Sequence, residues 1–457
     1  MSKKAEQIDS FLKKNLNSYI DETIELCKHA SISAQGGTVM GECASTVART
    51  LLRHGFDVQT FETPGNPVVV GRAKGKSERT LLFYNHYDVQ PADPLNLWTT
   101  APFAPTVRDG ALYARGAKDD KGEFVARIAA VDAAREANGG ALPCGITFVV
   151  EGEEESGSPY IAQFVLDHLD LLKSHGAIWE EGGIDHQGHP VNLLGARGVL
   201  KVELTAETMS MDAHSGSAHN LPNAAWRLIE ALTTLRSSDG KILIRGFYDN
   251  AKPPSELDLK LIDEATQTEP WLREKYKVRE FVGGLTGKEI ERAVFNPTCN
   301  IQGIISGYNG EGSKTVIPCR ASVKIDFRLV PDQDPDDIFE KLCAHLKEKG
   351  FDDVIANKGR GRMWPYKASP DNPFVELTSR TAEEVYQKRA MIRPMNGGSS
   401  PVYAFAKPLG GIPVVRAGVG YANSRTHAPD ENVRLIDFEN AARHIARIVE
   451  GFGEIGK

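Results

Sequence analysis

The sequence predicts an α/β protein interrupted by an inserted α+β unit, and three observations carry the prediction. The first half alternates amphipathic stretches with short apolar ones, in the strand, helix, strand rhythm of a helix-covered sheet. Near Val199 the pattern changes to long alternating strands and isolated helices, and past the Pro/Asp/Asn-rich YKASPDNP the first rhythm returns. At 457 residues the chain is long enough for two domains. The expected boundaries are 1–200 with 373–457 for the outer domain and 201–372 for the insertion.

Taken in order, Ile8–Cys27 and Ala44–His54 carry apolar residues at helical spacing. FDVQTFET, PVVVGRA and TLLFYNHYD read as strands; the last, preceded by polar GKSER, is apolar on both faces from Thr80 to Tyr84, as a strand inside a covered sheet must be. A helix follows from Lys121 to Asn138, then the strand GITFVVEG, the helix YIAQFVLDHLDLLK and the strand GAIWEE. The insertion opens with the strand VLKVELTAET and a helix from Asn223 to Arg236. A long polar, Pro-bearing stretch leads to the strand KTVIPCRASVKIDFRLV and the helix DPDDIFEKLCAHLKEKG. A helix from Phe374 to Tyr386, the strand IPVVRAG and a helix from Asp437 to Phe452, packing back on the first domain, complete the chain.

The composition, 41% hydrophobic and 25% charged, is that of a globular protein, and a net charge of -7 argues against a nucleic-acid partner, which would demand a basic face. A small or zwitterionic substrate fits better. The chain has no run of 18 apolar residues, so no membrane span is expected, and MSKKAEQIDSFLKKN has no apolar signal core, so a cytoplasmic location is expected. Six scattered cysteines with no C-x-x-C pair signal neither a disulfide framework nor a thiolate zinc site.

The chemistry gathers where strands end, because loops leaving the carboxyl ends of an α/β sheet converge on one crevice. LLFYN runs into His86 and Asp88, LYARGAKDDKG into Asp119 and Asp120, ITFVV into Glu151, Glu153, Glu154 and Glu155, and AIW into Glu180 and Glu181. So many carboxylates at close range repel one another unless a cation sits among them. Mixed His and Asp/Glu donors without cysteine suit a hydrolytic Zn2+ or Mn2+ site. Two apart on an extended chain, His86 and Asp88 point the same way, which lets Asp88 accept from the imidazole nitrogen turned away from a metal. Taken singly, H-x-D reads as a surface turn and EGEEES as a solvated acidic loop.

NHYDVQP, LYARGAKDDKG, EGEEESGS, DAHSG, GSKTVIP and SRTHAPDE, in this order and at these intervals, resemble the M20 family of metallopeptidases, especially the branch of carnosine-type and other cytosolic dipeptidases. The resemblance spans nearly the whole chain. It implies a zinc-peptidase-like catalytic domain, an inserted lid and dimerisation domain, and two divalent metal ions per subunit, Zn2+ first and Mn2+ as the alternative. It implies that His86 binds one metal, that Asp88 orients it, that Asp119 bridges both metals, and that the Asp119–Asp120 peptide bond is cis. It makes Glu154 the general base and Glu155 a metal ligand. Glu180 completes the first metal, with Glu181 as the alternative register, and His427 the second.

The resemblance further places His214, in MDAHSGSAHN, in the neighbouring subunit's active site, where it holds the developing oxyanion. Thr315 and Arg328 contact substrate, and Gly397, Gly398 and Ser399 form a cradle for its carboxylate. Two departures stand out: carnosine-type enzymes carry Asp where this chain has WEEGG, and GRGRMWP offers arginines where those enzymes supply a lid histidine. GYNGEGSKT is not a phosphate loop, because Ser313 separates Gly312 from Lys314 and a strand follows rather than a helix. His186 and His189 in DHQGHP read as turn residues. The expected activity is cleavage of dipeptides or similar small peptides by a homodimer; the alternatives are an N-acyl amino acid deacylase with the same site and a catalytically dead scaffold, disfavoured because every expected ligand and the base are present.

Overall fold

The computed structural model describes residues 2–265, 268–359 and 362–455. The chain divides into two compact units, Met1–Leu194 with Ala368–Pro394 and Ala404–Lys457, and Gly195–Lys367 with Met395–Tyr403. The segment carrying Gly398 and Ser399 thus groups with the insertion, and the junctions fall at 194/195 and 367/368.

A six-stranded mixed sheet builds the first unit, in the order Asp57–Phe61, Val68–Ala73, Leu142–Glu151, Gly75–His86, Gly176–Trp179, Val414–Arg416. The last four run parallel, so their carboxyl ends share one edge. Gly75–His86 is central, and Leu81 to Tyr84 are fully buried, as its unbroken apolar run requires. The strand begins earlier than composition suggests: GKSER is itself part of it, paired with Leu142–Cys144 across a register shift between Ser77 and Thr80. The helix Lys121–Ala137 is buried almost throughout because it packs against the sheet, Lys3–Cys27 and the last helix, Leu435–Phe452. YIAQFVLDHLDLLK forms two short helices, Ile161–Asp167 and Leu169–Leu172, that meet at His168.

The second unit is a four-stranded antiparallel sheet ordered Thr298–Ser306, Arg320–Leu329, Gly198–Glu207, Val354–Lys358. Leu200, Val202, Leu204 and Ala206 alternate inward beside Val323, Ile325, Phe327 and Leu329, and Leu228, Ile338 and Leu342 of two helices, Ala224–Thr233 and Pro335–Glu348, complete that core. The strand expected across KTVIPCRASVKIDFRLV breaks at Pro318 into Val316–Ile317 and Arg320–Leu329, since proline cannot donate to the ladder. The polar stretch before it is more ordered than its composition indicates. It holds the helices Glu256–Glu264, Glu269–Tyr276 and Lys288–Arg292, the first started by a Ser255/Asp258 capping box. The edge strand Thr298–Ser306 escapes a periodicity reading because both of its faces are largely exposed.

Candidate metal centre

Seven of the expected site residues converge at the carboxyl edge of the first unit's sheet. His86 closes the central strand and pairs in register with Glu151 on the neighbouring one. Buried Arg127 fixes the strand ends: its guanidinium donates to Tyr84 O at 2.5 Å, Asn85 Oδ1 at 3.0 Å and Trp179 O at 2.5 Å, tying the strand that carries His86 to the one that leads into Glu180. Tyr84 and Trp179 stack beside it at 3.8 Å. Tyr87 points away from the site into the core, donating to Pro67 O at 2.8 Å.

Two donor groups share Asp119: His86, Asp119 and Asp120 form one, and Asp119, Glu155 and His427 the other. Asp119 Oδ1 lies 3.2 Å from His86 Nε2, while Oδ2 lies 3.1 Å from His427 Nε2, which is also 3.1 Å from Glu155 Oε1. Glu180 Oε2 stands 3.9 Å from His86 Nε2. Asp88 does two tasks. Its Oδ1 is 3.3 Å from His86 Nδ1, and its two oxygens accept the backbone N–H groups of Glu154 and Glu155 at 3.2 and 3.0 Å, anchoring the turn that carries both glutamates to the histidine. The Asp119–Asp120 peptide bond is cis, and His427 has a φ of 61°, a left-handed conformation that a side chain other than glycine adopts at a cost and that here aims the ring at Asp119.

The residues fit a pair of divalent cations. Among the described residues, Glu155 Oε1, Glu180 Oε2 and Asp120 Oδ1 are buried without a hydrogen bond, although His427 Nε2 is close to the first of them. Close approach without hydrogen-bond alignment is what ligands aimed at a common point show, and imidazole with carboxylate oxygens is the donor chemistry of such ions. The protonation balance agrees. Burial pushes Glu154 up to about 8, with the Glu155 and Asp119 charges adding to it and His86 opposing, and burial pushes Glu151 to about 7 and Asp120 to about 6. Glu180 is held well above the carboxylate range by burial and by Glu154. Burial also favours the neutral acid at Asp119, but Lys118, His427 and His86 outweigh it and hold its carboxyl well below the usual range.

These buried acids set the pH dependence of the chelated protein. Between about pH 5 and 8 its folded state binds more protons than the unfolded chain, whose carboxyls titrate near 4, so stability falls as pH rises. His427, raised to about 10 by Asp119 and Glu155, acts with the same sign: its contribution is complete below about pH 6.5 and is lost as pH climbs through the folded value. Asp119 has the opposite sign but acts only below about pH 4. The melting temperature of chelated protein should therefore rise by several degrees from about pH 8 to 5, while metal-loaded protein, left with the share from groups such as Glu123, Glu151 and His54 that hold no ion, shows a smaller gain. A chelated melting temperature that climbs with pH over that window contradicts the carboxylate assignment.

Glu180 and Glu181 face different surroundings. Glu180 is buried toward His86, whereas Glu181 turns away at a φ of 65° to Arg416 Nη1, 3.0 Å distant. The remaining candidates lie in the second unit. His214 is exposed on a two-residue strand paired with Val316–Ile317, and its Nδ1 accepts from Gly216 N at 3.0 Å, which leaves the proton on Nε2 in the neutral ring. Thr315 is alongside, its carbonyl accepting from Ser215 N at 3.2 Å. Arg328 Nη1 donates to Ser399 Oγ at 2.7 Å, and Gly398 O accepts from Arg197 N at 2.9 Å. Of the GRGRMWP arginines, Arg360 lies outside the described residues, and Arg362 pairs with Asp336 at 3.3 Å.

Sequence reading missed the supports. Glu431 is fully buried and accepts Lys118 N and Asp119 N, each at 3.0 Å, and Arg115 Nη1 at 2.6 Å, so it holds the turn that presents Asp119. Asp120 accepts from Asn85 Nδ2 at 2.5 Å and His86 N at 3.1 Å. The available signal was an acid four residues past His427, and a Glu123/Arg127 pair inside an otherwise buried helix.

The sequence model described as Peptidase family M20/M25/M40 matches residues 82–451. An M20 family metallo-carboxypeptidase from Sulfolobus solfataricus shares the fold with a TM-score of 0.88 at 34% identity, over 96% of this chain and 99% of that one. The Beta-Ala-His dipeptidase of Mus musculus is 28% identical over 85% of this chain and 80% of its own length. The Cys-Gly metallodipeptidase of Schizosaccharomyces pombe is 28% identical over 84% of this chain and 82% of its own. The match runs from the strand that presents His86 to the helix that closes the first unit, and the chain is a metallopeptidase belonging to peptidase family M20/M25/M40.

Proposed function

We propose that the chain is a dinuclear metal-dependent dipeptidase that works as a homodimer. The observation that carries the reading is the single carboxylate of Asp119 set between two donor groups, with Glu154 beside it and bound by neither. His86, Asp119 and Glu180 would hold one ion, and Asp119, Glu155 and His427 the other, with Zn2+ preferred and Mn2+ as the alternative. When bound, the ions polarise the scissile carbonyl and acidify the attacking water. Glu154 takes the proton from that water and passes it to the leaving amine, while Asp88 fixes both the His86 ring and the turn that holds Glu154. Arg328, with Gly398 and Ser399, takes the substrate's terminal carboxylate, Arg328 supplying the fork that suits it; Thr315 contacts the substrate.

Dipeptide substrates are favoured by the names of the relatives, which cleave Beta-Ala-His and Cys-Gly. The test is a dipeptide panel run against an N-acyl amino acid panel on metal-reconstituted protein. Turnover confined to the N-acyl set would replace this reading with the deacylase one. Six free cysteines accord with a cytoplasmic location.

Support for a dimer comes from the second unit's edge strand Thr298–Ser306, which leaves Ile301, Ile304 and Ile305 roughly half exposed or more. His214 then acts in trans, its Nε2 proton turned to the oxyanion. Mixing inactive Glu154→Gln subunits with weak His214→Ala subunits should restore turnover. In the mixed dimer, the site that keeps Glu154 receives its His214 from the other chain. No recovery on mixing, with subunit exchange verified, means that His214 does not serve the neighbouring site.

A further inference from the structure

A cavity of about 300 Å³ in the first unit is lined by Lys118, Glu181 and Thr426, the chain neighbours of Asp119, Glu180 and His427. It therefore lies beside the chain segments that carry three of the proposed metal ligands. Its acidic groups are already engaged. Glu181 Oε2 is 3.0 Å from Arg416 Nη1, and Asp185 Oδ1 accepts the N–H groups of Gln187 and His189, both at 2.9 Å. Lys118 and Arg393, also in the lining, make no side-chain hydrogen bond or ion pair among the described residues. Lys118 is only 6% exposed. The carboxylates of Asp119, Glu181, Glu123 and Asp120 offset the cost of burying its ammonium, but none reaches ion-pair distance among the described residues, so its N–H donors are left for an entering anion.

We propose that this cavity is a specificity pocket for a carboxylate on the acyl half of the substrate, paired by Lys118 and Arg393. The assignment to the acyl half rests on the reading above, in which Arg328 and Ser399 take the carboxylate of the amine half. Two sources supply the same chemistry: the acidic side chain of an N-terminal residue, or the far carboxylate of a dicarboxylic acyl group. Glu181 draws Arg416 to itself, so Lys118 and Arg393 remain to meet the incoming charge, and Arg393 is exposed where a substrate can reach it.

The experiment compares kcat/KM on metal-reconstituted protein for Asp-Leu against Asn-Leu, Glu-Leu against Gln-Leu, and N-succinyl-Leu against N-butyryl-Leu. The acid should exceed its uncharged counterpart by roughly tenfold or more in one arm, the worth of a charge-assisted contact, and the responding arm identifies the source. Lys118→Met and Arg393→Gln should each bring that ratio toward one. Arg393 is on the surface, so its variant reports even if Lys118→Met fails to fold. Hydrolysis with no acid preference in any arm, or a preference that both folded variants retain, overturns the pocket and leaves the hydrolase reading standing. No hydrolysis of any substrate overturns both.

Discussion

Glu154→Gln should retain its metal and lose roughly three orders of magnitude or more in kcat, because the amide is the same size and takes no proton. The backbone explains why the site should survive the change. Glu154 is held through its N–H by Asp88, at 3.2 Å, and its carboxylate makes no hydrogen bond in either donor group, so Gln removes neither a support nor a ligand. Glu155→Gln is the contrasting variant. Its N–H is held by the same Asp88, but its carboxylate faces His427, so it should lose metal along with activity. Metal content by plasma emission and initial rates on one dipeptide separate the two variants. A Glu154→Gln protein with full metal and near-parental turnover would remove Glu154 from the mechanism.

The divergence of those adjacent glutamates was legible in the sequence, because neighbouring side chains on a turn cannot serve one point. The central strand was legible as well: a run apolar on both faces has few stable places except inside a sheet, and its polar tip at Asn85, His86 and Asp88 had to meet something. The supports were not. Arg127 and Glu431 act through backbone carbonyls and N–H groups that are far apart along the chain, and nothing in local periodicity marks such a partner. The same limit hid the helices between Ser237 and Thr298, whose polar faces look like loop until the Ser255/Asp258 cap is considered. Met395–Tyr403 groups with the second unit, which it meets through long-range contacts such as Arg328 to Ser399 and Arg197 to Gly398, of the kind no pattern announces.

Asp119→Asn should cost both ions, where Glu155→Gln or Glu180→Gln should cost one. The carboxylate of Asp119 spans the groups, with Oδ1 toward His86 and Oδ2 toward His427. An asparagine keeps one oxygen, offers an amide nitrogen that does not ligate in place of the other, and removes a negative charge from between two cations. Affinity at both positions should fall by more than about 100-fold, beyond what loss of an orienting partner alone produces, and turnover should fall with it. The chelated variants add a second sign. Asp119 titrates well below the carboxylate range, so it stabilises the metal-free fold above about pH 4 and loses that effect as pH falls through its folded value. Glu180 is held above the range, so its ionised form destabilises that fold. Chelated Asp119→Asn should therefore melt below the chelated parent at neutral pH, and chelated Glu180→Gln above it. If Asp119→Asn retains both ions, or if the two melting shifts share a sign, Asp119 is not the carboxylate that the two positions share.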